Sequence, residues 1–371
     1  MNNKGYLVAA ITLFALLFTL FSFVAFSKST PSVSARAFAL YEPTTESFIC
    51  GENIDTPLPM ASTTKIMTAL VALRCGKDLN EVITISKDAV GIEGSSAYFK
   101  GGECYTMLDL ITILLLRSAN DAACQIALSV SGSLENFATL MNSTAEELGL
   151  TGTSFTNPAG LDDKNHYTTA RDLSLLTAEA LKNETFRNIV SSYKYTATDI
   201  TSGNKTLYVN HNKLLKRYDG CIGVKTGFTN KSGRCLVSAA SKEGVTLIAV
   251  TLNAPDDWND HTKILDFGFN SVSMTEVVHS GEYCYKIPTL GAHESCIYAK
   301  NTENLSLPID KTGKIEVIPT LPTLLNAPVS AGEAVGYLTV KYNGRAIAKV
   351  DIEATTSANE VRGLFDRFTQ K

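Results

Sequence analysis

The chain opens with a long apolar stretch. Between Lys4 and Lys28 no residue is charged, and residues 6–26 are almost wholly apolar. A stretch of this length can span a bilayer, and it is longer than the core of a usual signal peptide. Small residues that resemble a signal-peptide cleavage site follow. Strand-like sequence begins near Ser34, so cleavage at this site would shorten the first strand. We therefore predict that residues 1–28 are a signal peptide or N-terminal membrane anchor, with an uncleaved anchor favoured, and that the protein works outside the cytoplasm.

The spacing of apolar residues divides the rest of the chain. Helical spacing dominates residues 62–180, whereas strand-like alternation dominates residues 193–252 and returns beyond Val277. The roughly 340 residues after the first segment are enough for two domains with separate cores.

A short amphipathic pattern ends the chain. Residues 357–360 read Ser-Ala-Asn-Glu, which is typical of a helix capping box. The apolar residues that follow lie on one helical stripe, namely Val361, Leu364, Phe365 and Phe368. We predict a short helix within residues 354–371, and two roles stay open for it: contact with the membrane and docking on the protein's own surface.

Composition narrows the function classes. The formal net charge is −4 at pH 7, which is not the basic footprint of a nucleic-acid-binding protein. The histidines have no metal-ligand spacing, so we predict no metal and no cofactor. They are His166, His211, His261, His279 and His293.

Eight cysteines in an exported protein suggest disulfides, but their placement does not. Cys124 and Cys235 lie in core-like segments. We expect free buried thiols, and a Cys284–Cys296 pair stays open as an alternative.

The most informative polar residues are Ser62 and Lys65. The apolar residues that follow fall at helical spacing, so Ser62 opens a buried helix, and positions three apart share one helical face. The same Ser-x-x-Lys spacing recurs at Ser191 and at Ser202, but the first copy lies in strand-like sequence and the second in a turn. Only Ser62 and Lys65 are predicted to bring a hydroxyl and an amine together.

A second motif, Ser118-Ala119-Asn120, interrupts two largely apolar segments. Its side chains are predicted to lie at a helix boundary facing a cleft. A helix N-cap by Ser118 or Asn120 explains the motif equally well.

The third motif is Lys225-Thr226-Gly227, which precedes two strand-like runs. On a strand it can present a cation and a hydroxyl to a carboxylate, while the glycine allows close approach of a substrate backbone. A second Lys-Thr-Gly at residues 311–313 follows Pro308-Ile309-Asp310, and we predict a surface turn there.

Together these motifs resemble those of the low-molecular-mass penicillin-binding proteins, the serine-type D-alanyl-D-alanine carboxypeptidases. The resemblance covers about residues 37–270. It is carried by residues 59–65 (Pro-Met-Ala-Ser-Thr-Thr-Lys), 118–123 (Ser-Ala-Asn-Asp-Ala-Ala), 155–161 (Phe-Thr-Asn-Pro-Ala-Gly-Leu), 166–172 (His-Tyr-Thr-Thr-Ala-Arg-Asp) and 219–227 (Asp-Gly-Cys-Ile-Gly-Val-Lys-Thr-Gly).

The resemblance implies an α+β fold. Residues 29–275 would form a β-lactamase/transpeptidase-like catalytic domain, with an antiparallel sheet, helices on both its faces and a helical subdomain. Residues 276–353 would form a small all-β C-terminal domain.

The resemblance also implies roles for the motif residues. Ser62 would attack the carbonyl between the two terminal D-alanines of a peptidoglycan stem peptide, and Lys65 would take its proton. Ser118 would relay a proton to the leaving amine, and Asn120 would orient the substrate amide and Lys65. The substrate-binding residues would be Lys225, Thr226, Gly227 and Phe228. Of these, Lys225 and Thr226 would bind the terminal carboxylate, while backbone N–H groups of Ser62 and Phe228 would form the oxyanion hole. β-Lactam antibiotics would be covalent inhibitors.

Two further functions stay open at this stage. Residues 157–172 contain no glutamate, which favours a peptidase over an efficient β-lactamase. A D,D-endopeptidase that cuts peptidoglycan cross-links would use the same residues, and a penicillin-binding sensor or scaffold would need the serine without turnover.

Overall fold

The computed structural model describes residues 30–361. Contacts divide the chain into two units, Met1–Ser32 and Val33–Lys371, and the fold below is that of the second unit. The predicted N-terminal segment, residues 1–28, lies outside the described residues, as do residues 362–371 of the predicted C-terminal helix. From residue 30 to residue 361, no helix is both long enough and apolar enough to cross a membrane.

Helices fill the middle of the described chain, as their apolar spacing predicts. They are α1 (Lys65–Arg74), α2 (Met107–Arg117), α3 (Asn120–Ser131), α4 (Leu134–Glu147), α5 (Ala170–Lys182), α6 (Glu184–Ser191), α7 (Leu214–Arg217) and α8 (Asp257–Ser271), with 3-10 turns at Ala61–Thr64 and Lys87–Ala89.

Strands precede, interrupt and follow these helices. Those of the first part are β1 (Ala37–Glu42), β2 (Ser47–Glu52), β3 (Val82–Thr84), β4 (Cys104–Thr106), β5 (Lys194–Thr198), β6 (Lys205–Val209), β7 (Cys221–Thr229), β8 (Gly233–Lys242) and β9 (Val245–Leu252). Those of the last part are β10 (Val272–Val278), β11 (Cys284–Leu290), β12 (Cys296–Asn301), β13 (Leu305–Asp310), β14 (Ile315–Thr320), β15 (Leu325–Asn326), β16 (Ala334–Tyr342) and β17 (Arg345–Ala354).

The main sheet is antiparallel, with strand order β2-β1-β9-β8-β7. Side chains alternate across it because successive strand residues point to opposite faces. Ala37 and Ala39 of β1 join the core that includes most of the helices, whereas Phe38 and Leu40 join a second core with α8. Helices therefore cover both faces of the sheet, and the predicted fold class is confirmed. Strand β7 lies at one edge of this sheet.

The last part of the chain is built from strands. A six-stranded sheet has the order β14-β16-β17-β12-β11-β15, and β10 pairs with β13. These strands enclose an apolar core of their own, in which Ile297, Leu338 and Ile352 are fully buried. The predicted all-β architecture of this region is confirmed.

The alternative Cys284–Cys296 disulfide is wrong. In the β11–β12 pairing, Cys284 lies opposite Lys300 and Cys296 lies opposite Pro288, so the two thiols face different partners along the hairpin. None of the eight cysteines, all within residues 30–361, forms a disulfide; Cys124 and Cys235 are buried as expected, whereas Cys75 and Cys284 are exposed.

The predicted capping box at Ser357 is also wrong. The Ser357 hydroxyl accepts a hydrogen bond from the backbone N–H of Ala331, and Ala358 and Glu360 form β-bridges to Val329 and Ala292. Pairing with distant segments therefore holds residues 357–360 extended, although their local sequence favours a helix.

The repeated motifs at Ser202 and Lys311 lie in turns, as their local patterns predict, whereas the strand predicted at Ser191 is wrong because Ser191 lies in a helix. Ser191 ends α6 whereas Lys194 begins β5, so this pair does not share a helical face. Ser202 lies in the turn between β5 and β6, where its hydroxyl donates to Asp199 at 2.5 Å. The second Lys-Thr-Gly is a turn after β13, in which the Thr312 N–H donates to Asp310 at 2.8 Å.

Candidate active site

Ser62 lies in the 3-10 turn that leads into α1. The residue before it, Ala61, has a φ of +46°, a conformation that costs a non-glycine residue about 1–2 kcal/mol. Hydrogen bonds hold this turn: the Thr63 hydroxyl donates to Met60 O at 2.6 Å, and the Thr64 hydroxyl donates to Ala61 O at 2.8 Å. The turn fixes the position of the Ser62 hydroxyl before any substrate binds.

Lys65 is fully buried, and its amine lies between three oxygens. Nζ is 2.9 Å from Ser62 Oγ, 2.7 Å from Asn120 Oδ1 and 2.5 Å from the carbonyl oxygen of Ala159. The last two atoms can only accept, so they use the two N–H groups that a neutral amine has. The remaining lone pair then faces the Ser62 hydroxyl, which is the arrangement a general base needs.

The electrostatics favour the neutral amine. Burial, and after it the positive charge of Lys225, holds the pKa of Lys65 well below its usual value. An ordinary lysine is protonated near neutral pH and cannot accept a proton. The surroundings of Lys65 remove this obstacle.

The second motif joins α2 to α3. Ser118 ends α2 in the left-handed conformation, with a φ of +62°, and Ala119 rather than Ser118 or Asn120 is the N-cap of α3. The N-cap alternative is therefore wrong. Asn120 accepts from Lys65 and donates through Nδ2 to Glu93 O at 2.5 Å, which orients its amide at the cleft.

Lys225 and Thr226 lie on the edge strand β7, as predicted. Lys225 is 1% exposed, and its Nζ donates to Thr226 O at 2.9 Å. Burial lowers the pKa of Lys225 to about 7. A substrate carboxylate beside it would favour the charged form and raise that pKa again.

Two glycines permit close backbone contacts around Ser62. A Cβ on Gly227 would lie 3.1 Å from the backbone N of Ser62, so β7 runs directly beside Ser62. A Cβ on Gly160 would lie 2.0 Å from Ala61 O, and Gly160 also has a φ of +85°. Only glycine fits at residue 160, where the segment that carries the Ala159 carbonyl meets the Ser62 turn.

These elements enclose a cavity of about 320 Å³. Of the predicted residues, Ser62, Ser118, Thr226, Gly227 and Phe228 line it, and the Phe228 ring is 63% exposed at its rim. Lys65, Asn120 and Lys225 lie buried behind this lining.

Sequence reasoning missed several residues of this cavity. The motif patterns carry no signal for them, because loops, a strand end and the start of α8, far apart in the chain, contribute them. They are Ser95, His211, Lys213, Arg234, Asp257 and Trp258.

Comparison with known proteins gives the family. The family model described as D-alanyl-D-alanine carboxypeptidase matches residues 24–256, and the model described as penicillin-binding protein 5, C-terminal domain, matches residues 273–360. The chain belongs to the D-alanyl-D-alanine carboxypeptidase family. It is therefore a hydrolase of the penicillin-binding type, as its motifs indicate.

Curated relatives of this carboxypeptidase match over most of their length. It is 31% identical over 331 residues to D-alanyl-D-alanine carboxypeptidase DacF of Bacillus subtilis, covering 86% of this chain and 85% of the relative. It is 32% identical over 354 residues to D-alanyl-D-alanine carboxypeptidase DacC of Escherichia coli, covering 91% of this chain and 87% of the relative.

Solved structures of related proteins have a similar fold. Penicillin-binding protein 5 from Haemophilus influenzae matches with a TM-score of 0.69 and 26% identity, covering 90% of this carboxypeptidase and 99% of that chain. A DD-transpeptidase from Streptomyces matches with a TM-score of 0.62 and 33% identity, covering 65% of this chain and 99% of that chain.

In this carboxypeptidase, structural contacts occupy the carboxylates of residues 157–172. Asp162 accepts from the Thr229 hydroxyl at 2.8 Å, Asp163 accepts from Asn165 N–H at 2.7 Å, and Asp172 accepts from Gly152 N–H at 2.8 Å. Thr169 caps α5, and its hydroxyl accepts from the Asp172 N–H at 3.0 Å. The Ala159 carbonyl of this segment reaches the Lys65 amine.

Proposed function

We propose that this carboxypeptidase removes the terminal D-alanine from peptidoglycan pentapeptide stems through an acyl-enzyme on Ser62. The observation that carries the proposal is the 2.9 Å contact between Lys65 Nζ and Ser62 Oγ, made by an amine whose other hydrogens are already engaged.

The residues divide the reaction into two steps. Ser62 Oγ attacks the carbonyl carbon of the penultimate D-alanine while its proton passes to Lys65. The tetrahedral intermediate collapses as the proton held by Lys65 passes through the Ser118 hydroxyl to the leaving amine. Free D-alanine departs, Lys65 is neutral again and an ester remains on Ser62. Water then attacks the ester, which releases the shortened peptide and restores the Ser62 hydroxyl.

Backbone donors complete the acylation site. The N–H groups of Ser62 and Phe228 are proposed as the oxyanion hole, because β7 runs beside Ser62 at Gly227. Each such donor is typically worth roughly 10²–10³ in rate.

Two substrates test the proposal against the endopeptidase alternative. Purified residues 29–371 would be incubated with a pentapeptide and, separately, with cross-linked muropeptide dimers. Release of free D-alanine from the pentapeptide supports the carboxypeptidase, and cleavage of the dimers alone contradicts it. A sensor or scaffold would be acylated by penicillin but would release D-alanine from neither substrate.

The two Lys-Thr-Gly copies give a prediction with an internal control. Lys225→Ala removes a buried cation beside the reacting groups, so we expect kcat/KM to fall by about 10²-fold, with a higher KM and slower acylation together. Lys311→Ala changes a surface turn and is expected to leave both constants unchanged. Kinetics of both variants on diacetyl-L-lysyl-D-alanyl-D-alanine would measure this, and damage confined to Lys311→Ala would disprove the assignment of the third motif.

The two lysines also predict a bell-shaped pH dependence of kcat/KM. Lys65 must be neutral to accept a proton, so the rate falls as pH drops below its depressed pKa. Lys225 must be charged to bind a carboxylate, and its pKa of about 7 in the free enzyme makes kcat/KM fall above that pH. Initial rates across pH 4–10 would show both limbs. Lys225→Gln should lose the alkaline limb, and a wild-type profile flat above pH 7 would contradict this role.

Penicillins carry a carboxylate and a strained amide, so they would bind the same residues and acylate Ser62.

Stem peptides lie outside the cytoplasm, and so does the site of action of this enzyme. We infer that residues 1–28 hold it at the membrane. Extraction of the full chain from membranes by detergent but not by alkaline carbonate would support the anchor, and release by carbonate would contradict it.

A further inference from the structure

A second cavity adjoins the catalytic one. It has a volume of about 440 Å³ and is rich in basic side chains. We call it the basic cavity; it is lined by Tyr193, Asn210, His211, Lys213, Lys216 and Arg217.

The two cavities share His211 and Lys213, which also line the space above Ser62. His211 lies within electrostatic range of Lys225, whose positive charge contributes, after burial, to a His211 pKa of about 4. The basic cavity therefore meets the catalytic cavity at His211 and Lys213, and Thr226, which is proposed to bind the leaving residue's carboxylate, lines that catalytic cavity.

Its cations lack acidic partners. Among the ion pairs of residues 30–361, none involves Lys213, Lys216 or Arg217. The three residues are spaced i, i+3 and i+4 around the short helix α7, where like charges destabilise a helix by a few tenths of a kcal/mol per pair. A protein with a net charge of −4 thus concentrates uncompensated positive charge beside its active site.

Contacts with neighbouring side chains hold two of the hydrogen-bond donors that line the basic cavity, Lys216 and His211. The Lys216 ammonium lies 3.7 Å from the centre of the Tyr193 ring, which holds it by a cation–π interaction. Arg117 contacts His211 Nε2 at 3.0 Å, and arginine can only donate, so a neutral His211 carries its proton on Nδ1. The cavity wall therefore combines three cations with a neutral imidazole donor.

We propose that the basic cavity is an anion-binding subsite on the leaving-group side of the scissile bond, which takes a carboxylate carried by the side chain of a leaving residue larger than D-alanine. This inference rests on the proposed function, because Lys225 and Thr226 must first hold the backbone carboxylate of that residue. The leaving residue's side chain then extends past His211 and Lys213 toward Lys216 and Arg217. The enzyme would accordingly accept leaving residues whose side chain ends in a carboxylate, such as D-glutamate.

The test compares two isosteric peptides that differ only in charge, diacetyl-L-lysyl-D-alanyl-D-glutamate and diacetyl-L-lysyl-D-alanyl-D-glutamine. Binding to the Ser62→Ala protein would be measured by calorimetry, so that turnover is not needed. We expect the glutamate peptide to bind about tenfold more tightly, the gain from one charge-assisted contact, with a smaller preference at high salt.

The double change Lys216→Gln and Arg217→Gln, made in the same background, should bring this ratio of affinities close to one. Lys349→Gln is the matched control, because Lys349 also lies over a tyrosine ring, 4.4 Å from that of Tyr337, but in the C-terminal sheets. It should keep the wild-type ratio. Thermal unfolding of each variant would check that the fold is intact.

Two results would overturn the subsite. One is equal affinity of the two peptides for the unaltered cavity, and the other is a preference that survives the double change, which would place the anion elsewhere. Failure of the proposed function looks different: active enzyme would release no D-alanine from diacetyl-L-lysyl-D-alanyl-D-alanine, whatever the affinities show.

Discussion

Ser62→Ala is expected to abolish D-alanine release and covalent labelling by a fluorescent penicillin. The methyl group cannot attack a carbonyl, and Lys65 has no other hydroxyl at 2.9 Å to activate. Removal of the nucleophile typically lowers kcat by on the order of 10⁶-fold in serine hydrolases, so activity should fall below detection. Gel fluorescence after labelling and an assay of free D-alanine would measure both losses.

Ser191→Ala is the matched control for this change. Ser191 heads another Ser-x-x-Lys spacing, but its hydroxyl donates to Asn188 O at 3.1 Å at the exposed end of α6. The control should label and turn over as the wild type does. Labelling that persists in Ser62→Ala protein would place the nucleophile at another residue.

Local sequence was sufficient to predict the positions of the three motifs on their elements. Ser62 and Lys65 meet because a helical turn brings residues three apart together, and this geometry depends on few other residues. Lys225 and Thr226 lie on a strand because the residues after them alternate and pair as β8 and β9. In both cases, short-range periodicity determines the outcome.

The remainder of the site depends on contacts between distant segments. The Ala159 carbonyl reaches Lys65 across 94 positions of sequence, and Asn120 reaches it across 55. No spacing rule covers such distances, so Ala159, His211 and Arg234 could not be assigned from their neighbours. The left-handed conformation of Ser118 was likewise unpredictable, because serine is not a residue type that favours a positive φ.

At residues 357–360 a strong local signal led to a wrong prediction. Residues 357–360 have a strong local helix signal, yet β-bridges to Val329 and Ala292 hold them extended. A capping box contributes about 1 kcal/mol, which is less than tertiary pairing can supply. Local patterns therefore predicted structure well where the fold reinforced them and failed where a distant strand competed.

Lys65→Arg is expected to lower acylation by at least the roughly 10²–10⁴-fold typical of general-base catalysis. A guanidinium keeps the positive charge but does not lose its proton at any working pH, so no lone pair would face the Ser62 hydroxyl. The neutral lysine instead donates to Asn120 and Ala159 and accepts from Ser62, a combination that arginine cannot reproduce. The second-order rate of penicillin labelling would measure the loss.

Three measurements separate a lost base from a damaged fold. Lys194→Arg, in the Ser-x-x-Lys copy that begins β5, is the matched control and should acylate normally. Thermal unfolding of Lys65→Arg should remain cooperative, although the buried guanidinium will lower its midpoint. The acid limb of the pH profile reports the base itself, because wild-type acylation rises as Lys65 loses its proton. In Lys65→Arg the residual rate should not follow that limb. A variant that acylated at a near-normal rate, or kept the wild-type acid limb, would show that another group takes the proton from Ser62.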